Sequence, residues 1–90
     1  MSGKDSARRW WGKMKVEDRI RQDVTVAADD FAAALSDVCE QLDLTKPIVT
    51  RKHENEMSRF NRTVFYPDDF IESVRFDAME IERLVDRKKK

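Results

Sequence analysis

The stretch WWGKMKVEDRIRQDVTV, residues 10–26, decides how this chain is read. Its first half alternates. Trp10, Met14 and Val16 fall on one parity, and Arg9, Trp11, Lys13 and Lys15 on the other. That is the period-2 signature of a strand with one apolar face. Glu17-Asp18-Arg19 interrupts it. Alternation then resumes, with Ile20, Val24 and Val26 set against Arg21, Asp23 and Thr25. Two strands around a short charged turn predict a hairpin. The turn contains neither Asn-Gly nor any glycine, so its type and register stay open.

Working outward, the period changes at ADDFAAALSDVCEQLDL. Phe31, Leu35, Val38 and Leu42 recur at i, i+4, i+7 and i+11, one face of a helix. Asp29 or Asp30 supplies the N-cap, and three consecutive alanines favour the helix. Pro47 marks a stop beyond its end, and the following Ile48-Val49 reads as an extended link. Thr50 can cap a second helix running to about Arg62, on which His53, Met57 and Phe60 share a face. TVFYPDDFIES then reads as an extended piece and a turn entered at Pro67. The last segment is ambiguous. Val74/Phe76 and Met79/Ile81 alternate as strands with a slip at Asp77-Ala78, while Ile71, Val74, Ala78, Ile81 and Val85 fit a helix. Strands are preferred, because the first hairpin needs sheet partners to be stable. The expected fold is α+β: a small, mainly antiparallel sheet from the N-terminal hairpin and the C-terminal strand region, with two helices packed on one face. Residues 1–8 read as a tail, 9–85 as a single domain and 86–90 as a basic tail.

Ninety residues with a net charge of zero and ample Val, Ile, Leu, Phe and Met point to one folded domain. The lone cysteine, Cys39, excludes an intramolecular disulfide framework. No apolar run has the length of a signal peptide or membrane span, so the expected setting is cytoplasmic. Asn61-Arg62-Thr63 fits a glycosylation acceptor but lacks a secretory context. The charges come in blocks: +4 over residues 1–22, −6 over 23–45, +3 over 46–63 and −5 over 64–86, before the basic end of the chain. Opposite blocks can lie side by side and attract, or the two basic blocks can share a surface.

Residues 45–82 carry a linear pattern: Lys52-His53, Glu56, Phe60, Arg62-Thr63, Phe65, Pro67 through Glu72, Phe76-Asp77 and Glu80-Ile81-Glu82. In this it resembles small uncharacterised bacterial proteins of the kind found in Gram-positive anaerobes. The resemblance implies a bacterial cytosolic setting and no particular chemistry.

The candidate chemistry is sparse. His53-Glu54 lacks the second histidine of a zinc-protease helix, and one histidine with one distant cysteine does not make a zinc site. His53 and Cys39 are expected to be structural. Asp68, Asp69 and Glu72 lack the calcium-loop pattern and suit the first turn of a helix. With Gly3 and Gly12 the only glycines, no phosphate loop can be built. The expectation is therefore no enzyme, no cofactor and no metal. Trp11 is the informative residue, facing out beside Arg9 and Lys13. It either packs under neighbouring basic side chains or stands as an aromatic anchor. The candidate interface is Arg9, Trp11, Lys13, Lys15 and Arg21, with Arg51, Lys52, Arg59 and Arg62 as an alternative basic helix surface. The expected function is a non-enzymatic protein-interaction module, whose partner is another protein or a second copy of the chain. The second reading is a nucleic-acid-binding domain that combines Trp11 with the basic positions of the first strand and second helix.

Overall fold

The computed structural model describes residues 8–84. The order is β1 (Arg8–Val16), β2 (Arg19–Ala28), α1 (Phe31–Gln41), α2 (Arg51–Phe60), β3 (Arg62–Phe65), a single 3₁₀ turn (Pro67–Asp69) and β4 (Ala78–Leu84). The four strands form one antiparallel sheet in the order β2-β1-β4-β3. Both helices lie on one face. The expected α+β fold is the one the chain adopts. The tails assigned to 1–8 and 86–90 fall outside the described residues except for Arg8, which already belongs to β1.

The hairpin closes as the alternation requires, with Val16 opposite Arg19. Its two turn residues, Glu17 (φ 53°) and Asp18 (φ 66°), both occupy the left-handed region. That pair of conformations defines the type I′ turn whose twist matches two right-twisted strands. Here it is built without glycine, and the Glu17 N–H donates to Asp77 Oδ2 at 2.7 Å. The turn is thereby tied to the start of β4. One irregularity follows, where Lys15 pairs with Ile20 but Met14 with Gln22, leaving Arg21 as the extra residue of a bulge.

Asp30 caps α1, its Oδ1 accepting from the Ala33 N–H at 2.9 Å. The helix ends with Asp43 at φ 61°. There the Leu44 N–H reaches Cys39 O at 2.8 Å and the Asp43 N–H reaches Glu40 O at 3.2 Å, the paired bonds of a Schellman stop. Thr50 caps α2, and Asn61 (φ 62°) ends it before the chain turns directly into β3.

The core lies between the helices and the sheet. Ala34, Leu35, Val38, Cys39 and Leu42 of α1 meet Trp10, Val26, Ala28, Phe65, Met79 and Ile81 of the strands, with Phe70, Phe76 and Met57 completing it. Leu35, Val38, Leu42 and Met57 are buried as their spacing predicts, and Phe31 packs half-buried against the same cluster. Phe60 departs from expectation: it is 62% exposed. It occupies the last turn of α2, one residue before the reversal at Asn61 into β3, which among the described residues is an edge strand. Periodicity reports where a side chain points but not whether another element lies there to cover it. The ambiguous C-terminal segment is a strand only from Ala78, and residues 74–77 form an irregular approach to it.

Gly12 permits the closest approach between layers. It sits in β1 with Val24 on one side and Ile81 on the other. A β-carbon there would overlap Val38 Cγ1 and lie 3.0 Å from Cγ2. Val38 is fully buried and β-branched, so it has little rotamer freedom with which to move aside. Gly12→Ala should therefore destabilise the domain by about 1–3 kcal/mol in denaturant unfolding, the usual range for overpacking. In the double variant with Val38→Ala the added methyl should cost markedly less. Additive effects would show that Val38 does not rest on Gly12.

Candidate interaction surface

With both helices on one side, the other face of the sheet is left uncovered by any helix. Side chains alternate across a strand. Trp10, Gly12 and Met14 therefore face the helices, while Arg9, Trp11, Lys13 and Lys15 face the open side. Cross-strand register sets Trp11 between Thr25 and Glu82, and Lys13 between Asp23 and Glu80. Arg62 of β3 lies opposite Glu82, and Val64 opposite Glu80.

These neighbours make a charge cluster. Lys15 Nζ is 3.1 Å from Glu80 Oε1, while Lys13 Nζ and Arg62 Nη1 are each 3.7 Å from Glu80 Oε2. Lys13 also donates to Glu82 Oε1 at 3.2 Å. Lys13 and Glu80 are 7% and 6% exposed, which is unusual for charges on a face without a helix over it. Burial pushes the Glu80 carboxyl up, but the Lys15 hydrogen bond and the charges of Lys13, Lys15 and Arg62 outweigh it and hold Glu80 below the ordinary carboxylate range. Trp11 belongs to the same assembly. Its ring lies 3.9 Å beneath Lys13 Nζ, and its Nε1–H donates to Asp23 Oδ2 at 2.8 Å. Trp11 is half-buried, packed under a basic neighbour rather than standing free.

Among the sequence-selected residues, Arg9 and Arg21 are exposed, Lys15 is half-buried and Lys13 is committed to its two glutamates. The strand β1 itself is central, paired on both sides, so it offers no edge. The alternative basic set does not form one surface. Arg51, Lys52 and Arg59 are exposed on α2, whereas Arg62 reaches Glu80 on the opposite face of the sheet. Trp11 and the basic positions of α2 are likewise separated by the sheet.

The remaining candidates have local tasks. His53 is buried and stacks on Phe65 with ring centroids 4.2 Å apart. Its Nδ1 accepts the Thr50 N–H at 3.0 Å, and its Nε2 lies 3.5 Å from Asp69 Oδ2. It thus occupies the place of the glutamate in a capping box. Asp69 in turn accepts the Tyr66 N–H at 2.9 Å, and Glu72 accepts the Thr45 N–H at 3.3 Å, so the acidic run 68–72 is divided among separate partners. Cys39 is buried, and that burial pushes its thiol up to about 11, with Lys46 pulling weakly the other way. At neutral pH it is a protonated packing residue rather than a nucleophile. Among the described residues, no three of His, Cys, Asp and Glu gather as metal ligands would.

Two surfaces went unread in the sequence. One is the long edge β2, ten residues with Arg19 through Asp23, Thr25 and Ala27 exposed. The other is a groove of about 650 Å³ between the start of α1 and α2, floored by Trp10, Phe31 and Met57 and rimmed by Arg8, Glu54 and Arg83. The signal for the charge cluster was present, since Glu80 and Glu82 alternate with Met79 and Ile81. The sequence does not state which strand lies beside them. No protein-family model matches this chain, and neither a curated protein nor a solved structure matches it.

Replacing Glu80 by Gln leaves Lys13 with Glu82 alone and should cost about 1–3 kcal/mol at neutral pH, the scale for stripping a buried group of its partner. Because the folded-state value of Glu80 is depressed, its contribution is complete above its ordinary value of 4.5 and is lost as pH falls through the lower folded value. Urea midpoints from pH 7 down to pH 3 should therefore converge for wild type and Glu80→Gln. Parallel profiles would show that the carboxylate contributes nothing. For His53, the Thr50 bond requires a bare Nδ1, so the neutral ring should carry its proton on Nε2. The ¹⁵N shifts of the two ring nitrogens read this directly, and a pyrrole-like Nδ1 would break the capping assignment.

Proposed function

We propose that this chain is a small non-enzymatic protein-interaction module of the bacterial cytoplasm, which recruits its partner by strand addition at β2. One observation carries the reading: β2 is a ten-residue edge strand, exposed along most of its length, with no element beyond it in the sheet among the described residues. Such an edge presents unpaired N–H and C=O groups to another chain. Arg21, from the candidate interface, lies on this strand.

The setting draws support from the resemblance of residues 45–82 to small bacterial proteins. Among the described residues, no helix is long and apolar enough to cross a membrane. The buried thiol of Cys39 suits a reducing environment. The nucleic-acid reading loses ground on charge and placement. On the open face Lys13, Lys15 and Arg62 are engaged by Glu80 and Glu82, Trp11 is held by Lys13 and Asp23, and the basic positions of α2 lie across the sheet. A polyanion would meet neutralised charge where stacking and phosphate contacts need free lysine and arginine.

Titration with single-stranded DNA and RNA at low salt tests the reading. The tryptophan fluorescence should stay unchanged. Steep quenching that fades as salt rises would overturn it in favour of a nucleic-acid-binding domain.

A further inference from the structure

The backbone of β2 shows which of its groups are free. The Asp77 N–H bonds Lys15 O, on the β4 side of β1. In an antiparallel strand the backbone groups of successive residues point to alternate sides. The odd residues of β1 therefore bond toward β4 and the even ones toward β2. Their partners Gln22, Val24, Val26 and Ala28 are thus satisfied within the sheet. The N–H and C=O groups of Asp23, Thr25 and Ala27 point outward. These three residues are exposed.

Resting on the strand-addition reading, we infer that the partner is a second copy of this chain, paired β2 to β2 in antiparallel fashion about a twofold axis at Thr25. In that register Thr25 faces the partner's Thr25, and Asp23 faces the partner's Ala27. All three outward-pointing residues then enter the ladder, in hydrogen-bonded positions. Val24 faces the partner's Val26 on the helix side, so the two cores become continuous. Arg21 falls opposite the partner's Asp29, and the twofold axis makes this pair twice. Both residues are exposed, and neither has an ion-pair partner among the described residues.

The charges of β2 select this register from its neighbours. An axis at Asp23 sets two like carboxylates against each other. An axis at Val26 sets Asp23 against the partner's Asp29. An axis at Val24 sets Arg19 against the partner's Asp29, but it runs the ladder through the bulge at Arg21, whereas the regular stretch from Gln22 to Ala28 is centred on Thr25. An axis at Gln22 does match Arg21 with the partner's Asp23, but it runs the ladder through the same bulge. Charged side chains and a bulge are the features that keep an edge from pairing indiscriminately. Here they leave one self-complementary register open, and an isologous pair of this kind closes on itself rather than growing into a filament.

Sedimentation equilibrium of the full chain at low salt should show a dimer that weakens as salt rises. Arg21→Glu and Asp29→Arg should each raise the dissociation constant by about tenfold, the scale of losing two exposed pairs. The double variant should restore dimerisation, which a merely damaged fold would not do. Thr25→Pro removes an outward N–H that no bond within the sheet uses, so it should give a folded monomer. Thr25→Cys, treated with copper-phenanthroline, should cross-link across the axis, because facing residues there sit about 5.5 Å apart, within disulfide range. A wild-type monomer overturns the pairing, as does a dimer indifferent to the charge reversals or one that cross-links through Asp23→Cys but not Thr25→Cys. These failures leave the protein-interaction reading in place, whereas that reading falls only to nucleic-acid binding in the fluorescence titration.

Discussion

The contact of Val38 with the bare backbone of Gly12 is the constraint on which the rest of this domain depends. β1 is the only strand that pairs with both β2 and β4, so it joins the N-terminal hairpin to the C-terminal strands. A side chain at its midpoint would hold α1 off the sheet. Without one, Val38 rests on the strand itself. Leu35 and Cys39 then join Trp10, Val26 and Met79 in one buried core. Helix–sheet interiors are packed to the density of organic crystals, so one missing side chain in a central strand sets the separation of the two layers. Phe31 then comes within stacking distance of both Trp10 and Phe65, which ties α1 to the two halves of the sheet at once.

The opposite face solves a different problem. A four-stranded sheet with both helices on one side must leave its other side to solvent or cover it with its own side chains. This chain covers it with charge. Lys13 and Glu80 are directly opposite each other on the two central strands, and the flanking Lys15, Glu82 and Arg62 complete their coordination. Buried ion pairs gain little stability over apolar residues of the same shape, yet they are costly to mispair. A slip of one residue between β1 and β4 would turn one of the two, Lys13 or Glu80, into the apolar core and leave the other without its partner. The cluster thus penalises wrong registers of the pairing that closes the fold, a role for which a uniformly apolar face would be poorer.

What the sequence made legible follows from how far each signal reaches. The alternation around Trp10-Trp11, the helical spacing from Phe31 to Leu42 and the caps at Asp30 and Thr50 are local, and the chain folds as they direct. Trp11 was placed on the correct face by parity alone. The strand order was not legible, because β1 meets β4 across a separation of 69 residues between Lys13 and Glu82, and nothing local encodes which strands become neighbours. For the same reason the alternation around Trp10 could not show that β1 is the centre of the sheet. Phe60 was misplaced because periodicity reports direction, not whether anything lies there. The glycine-free turn at Glu17-Asp18 could not be typed, since residues with side chains enter the left-handed region only where the surroundings enforce it. Here the bond to Asp77 does so.

These two faces together are why the proposed interaction is assigned to the edge. The helix side is occupied by the core, and Lys13, Lys15, Arg62, Glu80 and Glu82 of the open side are spent on one another. Of the two edges, β3 has four residues and connects directly to α2 through Asn61, whereas β2 has ten and is joined to α1 through Asp29 and Asp30. Backbone groups that a sheet leaves unpaired keep their full hydrogen-bonding capacity, and water satisfies them until another strand does. Val24 and Val26, packed against the core from that strand, give an incoming strand an apolar surface to cover on one side while the ladder forms. A long edge with an apolar inner side and separated opposite charges at its two ends is where this fold can add contacts without giving up any it already has.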